Sequence, residues 1–309
     1  MNSFKETYKA KAHKDRNNIK KINSYTLLEK IGEGANSKVF LSKRKKVFYA
    51  IKIINTDNLS RQKEFTKDSK GNTIIKTALD NVYREINILK TLNHENIIKI
   101  FEVIHDEDHG KIYIVMENCS KGNLMSWDTK ENKFIIKWME GRINEEVFRH
   151  IFRQIIYGVY YLHMQLIVHY DLKPQNILLT ENLIVKISDF DRAFNLATSD
   201  FLFKNPGTYQ FFPPESISSA SYNSSYRCKA VDMWSLGLIL YTFVYSVLPF
   251  NGQNMSELFK NIEEFELSFP DEPSISEGLR DLIRKLLDKN PNSRITIHEA
   301  LIDPWLNCS

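Results

Sequence analysis

The amino-acid sequence predicts an α+β protein of two lobes, a small β-rich one followed by a larger, mainly helical one. Three observations lead there. Between Tyr25 and Glu117, short runs of β-branched and aromatic residues alternate with glycine-containing or basic turns, and one stretch alone has helical spacing. After Gly122 the balance reverses toward broad apolar stripes at intervals of three and four. The length of 309 residues suits two domains or one two-lobed unit, at roughly 150 residues per domain.

Composition narrows the class. Hydrophobic residues at 42%, charged residues at 26%, 11 Gly and 9 Pro exclude a disordered or collagen-like chain. A net charge of +4 argues against a nucleic-acid binder with one strongly basic face and leaves nucleotide phosphates or acidic surfaces as partners. Cys119, Cys228 and Cys308 are odd in number and widely spaced, which suggests neither a disulfide framework nor a zinc site and fits a reducing cytoplasm or nucleus. Lysines at the N-terminus are followed by no apolar core, the wrong order for a secretory signal. The most apolar run, 236–250, is too short for a membrane span and reads as a buried helix.

The elements follow in order. Residues 1–24 hold seven Lys or Arg against two acids with almost no apolar periodicity, so a flexible basic arm is expected. Strand-like runs at 25–31, 38–41 and 47–54 predict an antiparallel sheet. The polar stretch 55–78, with Gly71 and Asn72 near its middle, predicts an exposed insertion. Val82, Ile86, Leu89 and Leu92 mark a helix ending near Asn93, and strands follow at 97–104 and 112–117, closing a small lobe at 25–117. In the larger lobe, 122–306, Asn144 reads as an N-cap ahead of Glu145 and Glu146, with Phe148, Ile151, Phe152, Ile155 and Ile156 on one face. Further helical runs lie at 231–245, 255–259, 277–287 and 297–301, and 307–309 form a tail. The cleft between two such lobes is a usual place for a ligand.

Four groups of residues carry chemistry. Ile31, Gly32, Glu33, Gly34, Ala35, Asn36, Ser37, Lys38 and Val39 form a glycine-rich turn between two strands, where backbone N–H groups could approach phosphate oxygens. Alone it is only a turn. A strand rather than a helix follows it, unlike a dinucleotide-binding motif, and no Gly-Lys-Ser/Thr marks a P-loop. Thirteen residues past Val39, the run Ala50, Ile51, Lys52, Ile53 places a lysine in an apolar strand, which asks for an anionic partner. Glu85, between Val82 and Ile86 on the helix, is the candidate. Taken singly, either residue would be an ordinary solvated charge. The densest signal is the run from Ile167 through His169, Asp171, Lys173 and Asn176 to Leu179, followed by Asp189-Phe190-Asp191. Phosphoryl transfer needs a carboxylate to orient the attacking hydroxyl and oxygen ligands for Mg²⁺. Asp171 suits the first role, Asn176 and Asp189 the second, and Lys173 can neutralise charge on the transferred group. A zinc protease is not supported, because His94-Glu95 would need a histidine where Ile98 stands.

In this order of parts, residues 25–306 resemble the eukaryotic protein kinase family. The resemblance extends to Pro213-Pro214-Glu215, to the run Asp232 to Gly237, and to Arg294. It implies a bilobal protein-kinase-like fold that binds ATP and Mg²⁺, a Lys52–Glu85 ion pair on the α- and β-phosphates, and Met116 at the back of the adenine pocket. It further implies a hinge from Glu117 to Cys119, Ala50 and Leu178 against the nucleotide, and a Glu215–Arg294 pair. Lys173 in Asp171-Leu172-Lys173-Pro174 is similar to the serine/threonine branch. Within it, residues 83–90, 92–96, 229–234 and 269–273 resemble the calcium/calmodulin-dependent protein kinase kinases and their fungal relatives, a group that extends the segment at 55–78. That resemblance implies a protein substrate, another kinase among the candidates, and a monomeric catalytic domain. No basic amphipathic helix follows Trp305, so calmodulin binding by this chain is not expected.

Departures from the family pattern support a competing reading, a pseudokinase acting as a nucleotide-binding scaffold. Tyr170 replaces the arginine usual before the catalytic aspartate, so phosphorylation of loop residues such as Thr198, Ser199 or Thr208 is not expected to be the main switch. Asp191 replaces a glycine beside the metal ligand, Ser37 stands where a third glycine is usual, and Pro213 replaces alanine. Every group expected to touch phosphate, metal and acceptor is nonetheless kept.

Overall fold

A computed structural model describes residues 4–14, 20–67, 73–141, 143–197, 208–217 and 225–308. The first of its two units comprises Met1–Asn93 and Ile98–Ser120. Its strands are β1 (Lys5–Thr7), β2 (Ala12–Lys14), β3 (Lys20–Ile22), β4 (Tyr25–Glu33), β5 (Ser37–Arg44), β6 (Val47–Asn55), β7 (Lys63–Lys67), β8 (Thr73–Thr77), β9 (Ile100–Asp106) and β10 (Lys111–Glu117). Eight of them form one sheet in the order β1-β9-β10-β6-β5-β4-β3-β2, and β7 pairs with β8 separately. Ile22, Tyr25, Leu27, Ile51, Ile104, Tyr113 and Val115 meet in one buried cluster on that sheet, the inward half of the alternation seen in the sequence.

Residues 1–24, expected as a flexible arm, instead contribute three strands among the described residues. β1 runs parallel to β9, pairing Lys5 with Glu102 and Thr7 with Ile104, and β2 and β3 extend the opposite edge. Backbone pairing needs no apolar periodicity: Ile22 of β3 is the buried apolar anchor, and polar side chains anchor β1. Glu102, 3% exposed, accepts hydrogen bonds from Thr7 Oγ1 at 2.6 Å and from Tyr25 Oη at 3.0 Å. Burial, followed by the Glu102 charge, pushes the Tyr25 phenol up to about 12.

The segment expected as an insertion holds α1 (Thr56–Arg61), capped by Asn55 and burying Leu59, and the hairpin β7–β8, whose turn at 68–72 lies outside the described residues. It ends at α2 (Ala78–Thr91). This helix starts one turn before Val82, the first residue of the apolar stripe, because Thr77 and Asp80 close a capping box. The Thr77 amide donates to the Asp80 carboxylate at 2.6 Å, and the Asp80 amide donates to Thr77 Oγ1 at 3.3 Å.

The second unit comprises His94–Ile97 and Lys121–Ser309. Asn144 caps α3 (Glu145–Met164) by accepting from the Val147 amide at 3.0 Å, as its position in the sequence predicts. Short strands follow: β11 (Gly122–Asn123), β12 (Ser126–Asp128), β13 (Lys133–Ile135), β14 (Ile167–Val168), β15 (Ile177–Leu179), β16 (Val185–Ile187) and β17 (Phe194–Asn195). Of these, β15 pairs with β11 and β16, and β14 with β17. Gly158 lets α3 lie against β16, since a Cβ there would stand 2.7 Å from Ile187 Cδ1.

The remaining helices are α4 (Pro214–Ile217), α5 (Ser225–Tyr245), α6 (Met255–Glu264), α7 (Glu277–Leu286), α8 (Ile297–Leu301) and α9 (Pro304–Asn307). The apolar run at 236–250 lies largely in α5, which is buried from Cys228 to Tyr245 apart from Lys229, and no described helix is long and apolar enough to cross a membrane. Arg294, 2% exposed, forks onto Glu215 with contacts of 2.6 and 2.9 Å, donates to the Asp288 and Ala230 carbonyls, and lies over the Trp234 ring. Removing one partner of such a pair strands the other charge. Glu215→Ala should therefore lower the unfolding free energy by about 3–5 kcal/mol, read from urea denaturation; a loss under 1 kcal/mol would mean the pair is not structural.

Candidate active site

In the first unit the residues singled out lie on four adjacent strands, β10-β6-β5-β4, on α2, and just past the end of β10. The β4–β5 hairpin carries the glycine-rich turn, closed by the Gly34 amide donating to the Ser37 carbonyl at 2.8 Å, with Gly32 opposite Val39 and Glu33 opposite Lys38. Ala35 and Asn36 form its tip, and the Asn36 carbonyl accepts from the Asn55 amide at 3.2 Å. Neither Gly32 nor Gly34 has a positive φ, so conformational freedom is not what the turn uses, and small size is used only at Gly34, where the space is tight. A Cβ on Gly34 would stand 3.1 Å from Ser37 Oγ, and one on Gly32 would stand 3.4 Å from Val39 Cβ. Lys30 and Lys38 flank Glu33 at 2.5 and 3.5 Å. Ile31, at the start of the turn, is half exposed.

β6 carries Ala50 and Lys52 one strand away, with Val39 opposite Lys52 and Met116 of β10 opposite Ala50. Lys52 Nζ reaches both carboxylate oxygens of Glu85, at 2.9 and 3.0 Å. Glu85 is 3% exposed, further inside than its place at the edge of the apolar stripe suggests, and the lysine supplies the countercharge such burial requires. After β10 the chain is tied to Lys99: Glu117 N donates to the Lys99 carbonyl at 3.0 Å and Glu117 Oε1 accepts from the Lys99 amide at 2.6 Å. Cys119 follows as a half-buried thiol.

In the second unit the residues cluster around one carboxylate. Asp171, 8% exposed, accepts at Oδ2 from Lys173 Nζ at 2.6 Å and from Asn176 Nδ2 at 3.3 Å, and at Oδ1 from the Thr208 amide and hydroxyl at 3.2 and 3.3 Å. Lys173 Nζ also donates to Thr208 Oγ1 at 3.0 Å. Thr198 and Ser199, the other two hydroxyls considered as switch positions, lie outside the described residues.

The backbone that presents Asp171 is held from beneath by a group the sequence reading did not single out. Asp232, fully buried, accepts from the His169 and Tyr170 amides at 3.0 and 2.9 Å and from His163 Nε2 at 2.9 Å. Tyr170 consequently has φ +66°, a region that non-glycine residues enter only where their surroundings impose it. His169 is also fixed: its Nδ1 accepts from the Asp171 amide at 3.3 Å, so its Nε2 carries the proton donated to the Ser188 carbonyl at 2.9 Å. His163, in the last turn of α3 and eight residues before Asp171, is the sequence signal that could have led to this network.

Tyr170 does not reproduce an arginine. It is 3% exposed, clustered with Val168, Phe194, Cys228 and Val231, and its ring meets Phe194 edge-on at 5.2 Å. Burial pushes its phenol far above the ordinary range.

Asp189 follows β16 with φ +64°, and the Ser188 amide and hydroxyl both donate to the Asn176 carbonyl at 2.9 Å. Phe190 is fully buried against His169. The oxygen donors suit a hard divalent cation. Asn176 spends its Nδ2 on Asp171, which turns Oδ1 to the free side, and carboxylate oxygens of Asp171, Asp189 and Asp191 lie within 4.8 Å of one another. The substitution at 191 thus brings a further carboxylate to this group. Leu178 lies half-buried in β15, paired with Lys186.

A β-sheet with one long helix, and a helical unit that holds a buried carboxylate and a cluster of oxygen donors, are the parts of the protein kinase fold. A family model described as the protein kinase domain matches residues 25–306, and the chain belongs to that family. It is 33% identical over 298 residues to a calcium/calmodulin-dependent protein kinase kinase of Caenorhabditis elegans, covering 92% of this chain and 53% of the relative. A probable serine/threonine-protein kinase of Dictyostelium discoideum is 35% identical, covering 99% of this chain and 41% of the relative. The serine/threonine-protein kinase TOS3 of Saccharomyces cerevisiae is 33% identical, with 92% and 53% covered. The chain spans about half the length of these relatives.

Thr208 joins Asp171 to Lys173, so Thr208→Val removes a hydroxyl from both. With one hydrogen bond contributing about 1–1.5 kcal/mol, kcat for phosphoryl transfer should fall about tenfold while the melting temperature stays within a few degrees.

Proposed function

We propose that this chain is a serine/threonine protein kinase that transfers the γ-phosphoryl group of ATP to hydroxyls of protein substrates. The observation that carries the reading is the setting of Asp171: a buried carboxylate on a pinned loop, with a lysine on one oxygen and a hydroxyl already seated on the other. The Thr208 hydroxyl occupies the kind of position an attacking hydroxyl needs, within reach of both a proton acceptor and a cation.

In this reading Asp171 orients the substrate hydroxyl and receives its proton. Lys173, two residues on, balances the charge of Asp171 and of the group in transfer. Lys52, held by Glu85, neutralises α- and β-phosphate oxygens, while the amides of 31–39 approach the phosphates. In the same assignment Ala50, Met116, Glu117 and Cys119 of the first unit are adenine-site residues, and Leu178 of the second is carried over on the family resemblance alone. Asn176 and Asp189 would hold magnesium, which when bound neutralises charge on the phosphates, and Asp191 adds a carboxylate beside them. A concavity of about 500 Å³ opens next to Thr208, lined also by Tyr209, Gln210, Asn254, Met255 and Leu258, and could take the polypeptide around the acceptor. The C. elegans relative is by its name a kinase that acts on a kinase, and the same class of substrate is the finer proposal here.

The test is phosphate incorporation from ATP and Mg²⁺ into an inactive kinase and into the same kinase with its activation-loop threonine changed to alanine. Wild-type chain should label the first and not the second. Asp171→Asn should label neither above a rate about 10²–10⁴-fold lower. Equal incorporation by wild type and Asp171→Asn would favour a nucleotide-binding scaffold instead; equal labelling of both substrates would remove the kinase-kinase assignment and leave the general one.

A further inference from the structure

Residues 4–14 precede the stretch matched by the protein kinase family, yet they are built into the first unit. Glu6, in the middle of β1, places its Oε1 2.9 Å from Lys90 Nζ in the last turn of α2 and 3.1 Å from His105 Nε2 on β9. Two residues on, Tyr8 stacks on His105 with centroids 5.0 Å apart and planes 9° from parallel. Tyr83 of α2 stacks on the same imidazole at 6.3 Å and 18°. The arm therefore reaches α2 by two routes, one ionic through Glu6 to Lys90 and one aromatic through His105 to Tyr83.

The spacing of these contacts is informative. Tyr83 and Lys90 are seven residues apart, two helical turns, and so share one face of α2. Glu85 lies roughly 200° round the helix from Tyr83 at about 100° per residue, on the face that meets Lys52. The helix is thus gripped on one side by β1 and β9 and presents Glu85 to β6 on the other. Because β1 is itself fastened, through Thr7 and Lys5 to the buried Glu102, the grip has a fixed base. The Lys90–Glu6 pair is partly shielded, with 24% and 28% of the two side chains exposed, a setting in which an ion pair keeps more of its strength than at a free surface.

We propose that Glu6 is a positioning residue for the Lys52–Glu85 pair: the N-terminal strand sets the placement of α2, and through it the lysine that receives nucleotide phosphates. This rests on the kinase reading given above for Lys52, and the test separates the two.

In the full chain, wild type would be compared with Glu6→Gln, Glu6→Lys, Lys90→Glu and the doubly reversed Glu6→Lys/Lys90→Glu. Hydrogen exchange of the α2 amides, measured without nucleotide, reports the helix whether or not the chain transfers phosphate. Each single change should raise exchange in α2 about threefold to tenfold while β5 and β6 keep wild-type protection, and the double reversal should recover most of that loss. With ATP and Mg²⁺, the single changes should raise KM for ATP severalfold more than they lower kcat, a split that general destabilisation does not produce. Exchange in α2 within twofold of wild type, exchange raised evenly across the unit, or a double reversal no better than either single change would each overturn the proposal. Altered exchange and rescue with no phosphoryl transfer by wild type would keep the arm's role and refute the kinase reading alone.

Discussion

The loop that presents Asp171 depends on one buried carboxylate, Asp232, that holds its backbone. Asp232 has no exposed surface and is surrounded by donors: two consecutive backbone amides and a histidine. Burying an anion is costly unless each lone pair is used, and here the matching donors belong to the segment whose shape matters. The left-handed conformation of Tyr170 is tolerable because these bonds over-determine it, and the direction in which Asp171 leaves the backbone follows from it. The same loop is held from the other side by His169 and Ser188, whose side chains donate to the Ser188 and Asn176 carbonyls, while Asn176 Nδ2 ties that residue directly to Asp171.

Much of this was legible in the sequence, and the parts that were not share a physical cause. The strands of the first unit, the cap at Asn144 and the partner of Lys52 follow from alternation, capping chemistry and the need of a buried charge for its opposite, while the Glu215–Arg294 pair came from the family resemblance alone. The N-terminal strands escaped because backbone pairing and polar anchoring leave no apolar period to read: Thr7 and Lys5 look like solvated residues until Glu102 is found beneath them. The start of α2 was misjudged for a related reason, since an apolar stripe marks where a helix is buried and a capping box where it begins. Asp232 was quoted within a motif without a role, because its ligands are backbone amides that sequence does not display.

The departures from the family pattern now have physical descriptions. Tyr170 turns a position usually charged into part of an apolar cluster that ties β14 to β17, so the neighbouring segment is held by ring packing and main-chain bonds where a guanidinium would ask for an anion. Ser37 is accommodated because the turn it closes uses its carbonyl, with its hydroxyl alongside Gly34. Asp191 alters the electrostatics most, adding negative charge where two carboxylates already lie close and so favouring any cation that approaches them.

Gly158 has a consequence that reaches beyond helix packing. The hydrogen at that α-carbon leaves just enough room for the Ile187 methyl, and Ile187 stands two residues before Asp189. The absence of a single atom on α3 therefore acts as a spacer gauge for the strand that leads to Asp189, the carboxylate proposed above as a metal ligand. A residue with no side chain at all in this way sets a packing tolerance for a carboxylate two residues beyond its contact.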